Sequence, residues 1–373
     1  MDGTQADDAR LRPDIAVNSL QEGATVPSFS VTPGLPELPE PGAGMHAIER
    51  RFRVLRRLTP DLPKALRLAY EHVGGSLANG DPHLRRLYDA GLSIAAAVDA
   101  EAIQTIAAGR PELPYHNRHH FVEATLAMGW LCAVARARGA ISLHEAVVGV
   151  VAMVGHDFRH DGTWNQTGAL EKVAADAVVS IAACAGVNGE DCQALHGIIL
   201  ATALPAVRAN KARAAEQERA GCRQGGMDAM HLMASEADVL TSLMPGLGCR
   251  LGHALAAEWS ANPGSPPLDP ASFTGRVAFL RLHDYFSEAA TELGLLRMHD
   301  SQLMAFRQIS ERSGGVAWPE VGAALLDRLK PCQAVRAFGA ALRQTGSDKH
   351  PHPGSGPPSI RQGTFDPWIP WSD

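Results

Sequence analysis

Apolar positions recur at a helical period through most of the chain, and no segment alternates as a half-buried strand would. The spacing predicts helices over 121–138, 143–154, 167–185, 190–204, 228–243, 276–293 and 301–313. Asn117 stands where an N-cap would precede the first of these. The segment 143–154 is apolar nearly all round, which predicts a helix buried at the centre. The stretch 208–223 is charged and Ala-rich and reads as a solvated helix or a mobile insertion. Gly246-Leu247-Gly248 with Gly252 superficially suggests a phosphate loop, but no strand precedes it, and an ordinary loop is expected. No internal repeat is present.

The two ends break this pattern. Residues 1–45 are rich in Pro, Gly, Ser and acidic side chains, and residues 346–373 are similar apart from Trp368 and Trp371. Neither can hold a helix or a ladder, so both are expected to be disordered tails flanking one all-α domain over 46–345. Composition agrees with helix: aromatics make up only 5% of the chain, and strands draw on aromatic and β-branched residues.

The net charge of −6 leaves no electrostatic footprint for nucleic acid or an anionic membrane, so neither is an expected partner. None of the six cysteines forms a Cys-x-x-Cys pair, which argues against a thiolate zinc site. The start of the chain shows no apolar signal core, and no stretch is expected to reach the ~18 apolar residues of a membrane span. A reducing cytoplasm is the expected compartment. Oligomeric state is not legible.

The chemistry is concentrated in two short segments. Tyr115-His116-Asn117-Arg118-His119-His120 and, after an apolar run, His156-Asp157-Phe158-Arg159-His160-Asp161-Gly162 hold five of the sixteen histidines. Imidazoles and carboxylates need partners once desolvated, and a metal satisfies several together. His116 and His120 are four apart, as are His156 and His160, a spacing that shares one helix face. With Asn117 as the cap, however, His116 precedes the helix, so one of that pair is free to ligate metal while the other faces substrate. On an ideal helix Asp157 would point about 100° away from His156. A His/Asp donor set without thiolate suits zinc, manganese or iron at a tight site, and magnesium or manganese at a second site completed by water.

These residues resemble a known family. His156-Asp157 is the signature pair of the HD superfamily of metal-dependent phosphohydrolases. More narrowly, Tyr115-His116-Asn117-x-x-His120 with His156-Asp157-x-x-His160-x-Gly162-x-x-Asn165 resembles the catalytic domain of class I 3′,5′-cyclic-nucleotide phosphodiesterases, over roughly residues 60–330. The resemblance implies a multi-helical, all-α catalytic domain with a buried metal site. It implies His120, His156, Asp157 and Asp238 as metal ligands and His116 as the general acid. It further implies His160, Glu171 and Asn165 as supporting residues around two divalent ions, and Gln302, Phe306 and Tyr115 at the substrate.

The chain departs from the family pattern in places. Glu123 stands for an Asp. Lys172-Val173-Ala174 and Ala201-Thr202-Ala203 each lose polar groups near the second metal, and Ala305 occupies the usual position of the base-clamping aromatic, with Phe306 one later.

The implied activity is hydrolysis of a cyclic nucleotide, cyclic AMP favoured, to the 5′-monophosphate by a metal-bridged hydroxide, with His116 protonating the departing 3′ oxygen. Two rival readings share these residues: an HD hydrolase of another nucleotide or phosphate ester, and a weakly catalytic nucleotide-binding sensor. A glutamine amide can rotate to serve either purine, so cyclic GMP stays open as substrate.

Overall fold

The strongest helix signals sit where the chain turns a corner. Ser142 and Glu145 form a reciprocal capping box at the start of a helix over Leu143–Val154. Asp61, Asp81, Asn117, Asn188, Ser272 and Ser287 each accept a backbone N–H at a helix start. The computed structural model describes residues 45–312 apart from 77–80, 165–166, 262–268 and 285, and side chains only from residue 48 to residue 307. Residues 1–44 and 313–373, and with them both expected tails except Met45, therefore lie outside the described residues, as do Trp368, Trp371 and Asn165.

Among the described residues the protein is all-helical. The elements are α1 (Met45–Leu55), α2 (Leu62–His72), α3 (Pro82–Ala107), α4 (Arg118–Ala137), α5 (Leu143–Val154), α6 (Ala169–Cys184) and α7 (Gly189–Leu200). They continue with α8 (Leu204–Arg219), α9 (Gly226–Leu243), α10 (Pro245–Ser260), α11 (Phe273–Leu282), α12 (Glu288–Glu292) and α13 (Leu295–Arg312). The core lies around α4 and α5. Every residue of α5 from Ala146 to Val154 is buried, and α4 is buried from His120 to Cys132 without a break. Helices α2, α3, α7 and α9 pack around this pair. Gly129 lets α4 approach α2 closely, since a Cβ there would meet Ala69 Cβ at 2.7 Å.

Three sequence readings are corrected. The stretch around Gly246, Gly248 and Gly252 is helix α10, not a loop. At Gly248 a Cβ would stand 2.2 Å from the Ser242 carbonyl oxygen, so glycine is kept there for close approach, at a cost in helix propensity that tertiary packing overrides. The single helix expected over 276–293 is two, α11 and α12, because Ser287 starts a new helix and is pinned by Glu236. That carboxylate accepts from the Ser287 backbone N–H and, at 2.6 Å, from its hydroxyl. Finally, α3 is long and apolar enough by length and composition to cross a membrane. Its buried face, with Leu84, Leu87, Ile94 and Val98, packs here against α5, α2 and α6. The Ala-rich stretch after Leu204 is the helix α8.

Helix α8 carries a buried cation. Lys211 donates to the Leu282 carbonyl, and burial pushes its amine down to about 8 despite the nearby carboxylates of Asp284 and Glu236. A lysine whose folded value lies below its unfolded one adds stability that is complete above the unfolded value and lost as pH falls through the folded one. Between pH 10.5 and 8 the wild type should therefore lose up to about 3 kcal/mol that Lys211→Met does not lose. Urea titrations of both proteins across that window measure the difference; parallel curves would show that Lys211 is not desolvated.

Candidate functional site

Four elements bring titratable side chains to one point. His120 sits in the first turn of α4, just after the Asn117 cap. Asp238 projects from the middle of α9. His156 and Asp157 come from the turn after α5, which ends at Val154 and is closed by Gly155. The expected helical spacing of His156 and His160 is thus corrected: the segment is a turn, and Arg159 in it takes a left-handed φ of 67°, uncommon for a residue with a Cβ. Freed from helical geometry, His156 Nε2 and Asp157 Oδ2 lie 3.1 Å apart instead of diverging.

Ligand atoms of His120, His156, Asp157 and Asp238 all lie within 4.8 Å of one another. His120 Nε2 is 3.0 Å from Asp157 Oδ2 and 3.1 Å from Asp238 Oδ1. His156 Nε2 is 3.1 Å from His120 Nε2 and 3.4 Å from Asp238 Oδ1. For bonds of about 2.1 Å, adjacent donors of an octahedral ion stand about 3.0 Å apart and those of a tetrahedral ion about 3.4 Å. The observed spacings span that range. His156 Nδ1 donates to the Met153 carbonyl at 3.0 Å, which leaves Nε2 with its lone pair towards the cluster when the ring is neutral. Asp157 Oδ2 is buried and has no partner in hydrogen-bond geometry, although three imidazole nitrogens lie within 4.0 Å of it. Donors that converge on a point and leave a buried carboxylate oxygen unsatisfied there fit a cation at that point.

The electrostatics agree. Burial opposes charge on His120, yet Asp157 and Asp238 outweigh it and lift the imidazole to about 8. Burial likewise opposes charge on His156, and the same two carboxylates raise it well above its usual value. Burial favours protonation of Asp157, but the His156 charge and the close approach of the His120 and His156 imidazoles hold it well below the carboxylate range. Without a metal the cluster holds protons between imidazoles and carboxylates, and a cation bound there would displace them.

A second group borders the first. His116 precedes α4, and its Nε2 is 4.0 Å from Asp157 Oδ2. Its Nδ1 is tightly bonded to Glu258 Oε1, while Glu258 Oε2 accepts the backbone N–H groups of His116 at 3.1 Å and Tyr115 at 2.9 Å. His160 stacks on His116 with ring centroids 3.7 Å apart and planes at 21°. His116, His160 and Glu258 also lie close together, but His116 Nδ1 is committed to Glu258 and His160 Nδ1 to the Gly162 N–H, so an orienting role suits them better. Burial and the charge of His116 press His160 down to about 4, and its Nδ1 accepts from Gly162 N–H at 3.0 Å.

Glu258 is not legible as a site residue because the glycines at 246, 248 and 252 suggest a loop where α10 begins. A signal exists: Leu247, Leu251, Leu255 and Glu258 recur at helical spacing, so an acid stands on an apolar stripe. Burial works to raise Glu258, and His116 with the two backbone donors holds it below its usual value.

The remaining expected residues have other surroundings. Tyr115 is buried, its ring beside His116 and His120 and its hydroxyl 2.8 Å from Ser242 Oγ. Glu123 is buried and held by Arg56, at 2.7 Å through Nη2, and by Thr241 Oγ1 at 3.0 Å. Glu171 lies half-buried in the first turn of α6 and is not one of the four converging donors. Ala203 caps α8 close to Gly168, which precedes that turn.

Gln302 is buried at 1% exposure with its amide occupied: Oε1 accepts from Arg276 at 2.9 Å and Nε2 donates to the Leu243 carbonyl at 2.7 Å. Arg276 itself donates to the carbonyls of Ser242, Leu243 and Met244, so the pair satisfies the C-terminal end of α9. Phe306 is buried in the core, edge-on to Phe273 at 4.9 Å. A purine contact would require the amide of Gln302 to release a buried cation. Gln302→Ala is accordingly expected to cost about 1–3 kcal/mol of stability. It should also lower turnover of purine and purine-free phosphodiesters together. A loss confined to the purine substrate, with unchanged melting, would contradict this.

No family model and no curated protein matches the chain. Among solved structures it is similar to the Leishmania protein LmjPDEB1 in complex with IBMX. The identity is 14%, the match covers 68% of this chain and 99% of that chain, and the TM-score is 0.44. A likeness at this level says nothing about activity.

Proposed function

We propose that the chain is a metal-dependent phosphodiesterase that opens 3′,5′-cyclic nucleotides, cyclic AMP by preference, to the 5′-monophosphate. The observation that supports this most is a juxtaposition. Four converging His and Asp donors lie beside an imidazole that is fixed on its far side by Glu258 and points Nε2 towards the cluster. His120, His156, Asp157 and Asp238 would hold the tight ion. The reading includes a second, looser site beside Asp157, with Glu171 supporting its water shell. Bound there, divalent ions would neutralise the phosphoryl oxygens and lower the pKa of water to make a nucleophile near neutral pH.

The chain's own residues carry the rest. Glu258 fixes the direction of the His116 ring and takes its Nδ1 hydrogen, so Nε2 is the nitrogen that delivers a proton to the departing 3′ oxygen. His160 backs the ring by stacking and stays neutral, so it does not compete for that proton. Tyr115 walls the site, with its hydroxyl and that of Ser242 hydrogen-bonded to each other.

The occupied amide of Gln302 favours a second reading, a phosphodiesterase without purine selection. A panel of cyclic AMP, cyclic GMP and bis(p-nitrophenyl) phosphate with manganese-loaded protein separates the two. Preference for cyclic AMP supports the first. Equal rates on all three support the second.

A further inference from the structure

His144 lies outside both motif segments, and taken alone it reads as an ordinary surface histidine. The fold gives it two partners from distant parts of the chain. His83 is the second residue of α3, His144 the second of α5 and Asp191 the third of α7. His83 Nε2 lies 2.8 Å from Asp191 Oδ2, and His144 Nε2 lies 2.8 Å from Asp191 Oδ1. The two Nε2 atoms are 3.3 Å apart, with the rings roughly stacked at 5.2 Å and 28°.

We propose that His83, His144 and Asp191 form a second metal site, separate from the candidate active site, that takes a zinc-class divalent ion and is completed by water.

Four observations carry it. One ligand atom from each of the three residues lies within 4.8 Å of the others, and the 3.3 Å between the two Nε2 atoms matches the ~3.0–3.4 Å edges of a four- to six-coordinate ion with bonds of about 2.1 Å. The two Nε2 atoms stand 3.3 Å apart beside the same carboxylate, so in neutral rings protonated at Nδ1 both lone pairs are available to one cation. Asp191 is 3% exposed and is held from behind: the Asn188 amide donates to its Oδ2 at 3.2 Å, and Asn188 Oδ1 accepts its backbone N–H at 2.8 Å. Ligating carboxylates are commonly oriented by such partners. A cavity of about 170 Å³, lined by His83, Asn188 and Asp191 among others, opens beside the group and leaves room for water in the remaining positions.

Two imidazoles and one carboxylate without thiolate suit zinc better than magnesium or calcium, which prefer all-oxygen shells. Asp191 is buried while the two histidine side chains are 36% and 43% exposed, so an ion can enter from solvent. Once bound it would tie together the N-terminal ends of α3, α5 and α7. Metal that binds only the folded form stabilises it.

The test is a zinc titration of the metal-free full chain, with stoichiometry measured after desalting. His83→Ala/His144→Ala should bind one zinc fewer per chain than wild type and show a smaller zinc-induced rise in Tm. The reciprocal variant, His120→Ala/His156→Ala, should retain this zinc whatever becomes of the phosphodiesterase reading, so the two claims fail separately. Equal zinc counts in wild type and His83→Ala/His144→Ala would overturn the site. If that variant does not fold, His144→Cys in cobalt-loaded protein gives a second reading: a thiolate-to-cobalt charge-transfer band absent from wild type. A cobalt-loaded His144→Cys without the band would equally overturn it.

Discussion

His156→Ala should leave a protein that neither holds the tight metal nor turns over any phosphodiester. His156 is fully buried, its Nδ1 is committed to the Met153 carbonyl, and its Nε2 meets three other donors within 3.4 Å. Outer partners of a metal ligand cost about 10–100-fold in affinity when removed. Loss of the ligand itself should exceed that, and metal-dependent activity should fall to background. Two consequences besides activity are expected. Manganese should raise the Tm of wild type but not of the variant, because binding energy is folding energy where ligation joins separate elements. The metal-free variant should also melt below metal-free wild type, since Asp157 and Asp238 lose an imidazole partner in a buried place, a change of about 3–5 kcal/mol. Asp157→Ala should behave alike. Equal metal content in variant and wild type, measured after desalting, would remove the proposed centre.

His116→Ala should behave in the opposite way towards metal. Its Nε2 stands 4.0 Å from Asp157 Oδ2, and its other nitrogen belongs to Glu258. The variant should keep its metal and its KM while kcat falls by about 10²–10⁴-fold, the pattern of a group that acts in the transition state. A diester with a p-nitrophenolate leaving group needs no proton and should recover most of the rate. Glu258→Gln keeps a hydrogen-bonding side chain but loses the charge that accepts from His116 and two backbone N–H groups. It should lower kcat by a smaller factor, about 10–100-fold, and shift the pH profile of kcat. Loss of metal from His116→Ala would make that histidine a ligand, and the acid would have to be sought elsewhere.

The sequence made some of this legible and hid other parts for physical reasons. Helix α5 was legible from Leu143 to Val154 because its interior is apolar all round and Ser142 and Glu145 cap it. The convergence of His120, His156, Asp157 and Asp238 was expected from paired motifs and a family resemblance; spacing alone placed His156 and Asp157 on diverging helical directions. What reconciles them is the turn closed by Gly155 and the left-handed Arg159, a backbone feature that residue types do not announce. Helix α10 was missed because its glycines, chosen for close approach to α9 and its surroundings, look like loop punctuation. Its Glu258 was missed with it. The occupation of Gln302 was invisible because Arg276 is twenty-six residues away and belongs to another helix. His144 was passed over for the same reason: its partners meet only when three helix ends do.

The central claim is that the four converging donors hold an ion that enables hydrolysis of a cyclic phosphodiester. Its most direct test is titration of metal-free protein with manganese in the presence of cyclic AMP, followed by phosphorus NMR. The account predicts that the cyclic phosphate signal is replaced by that of a 5′-monophosphate. The rate should rise in proportion to occupancy of the His120, His156, Asp157 and Asp238 site, and chelation should abolish it. A protein that holds the metal there yet leaves cyclic AMP intact, or releases the 3′-monophosphate, would contradict it.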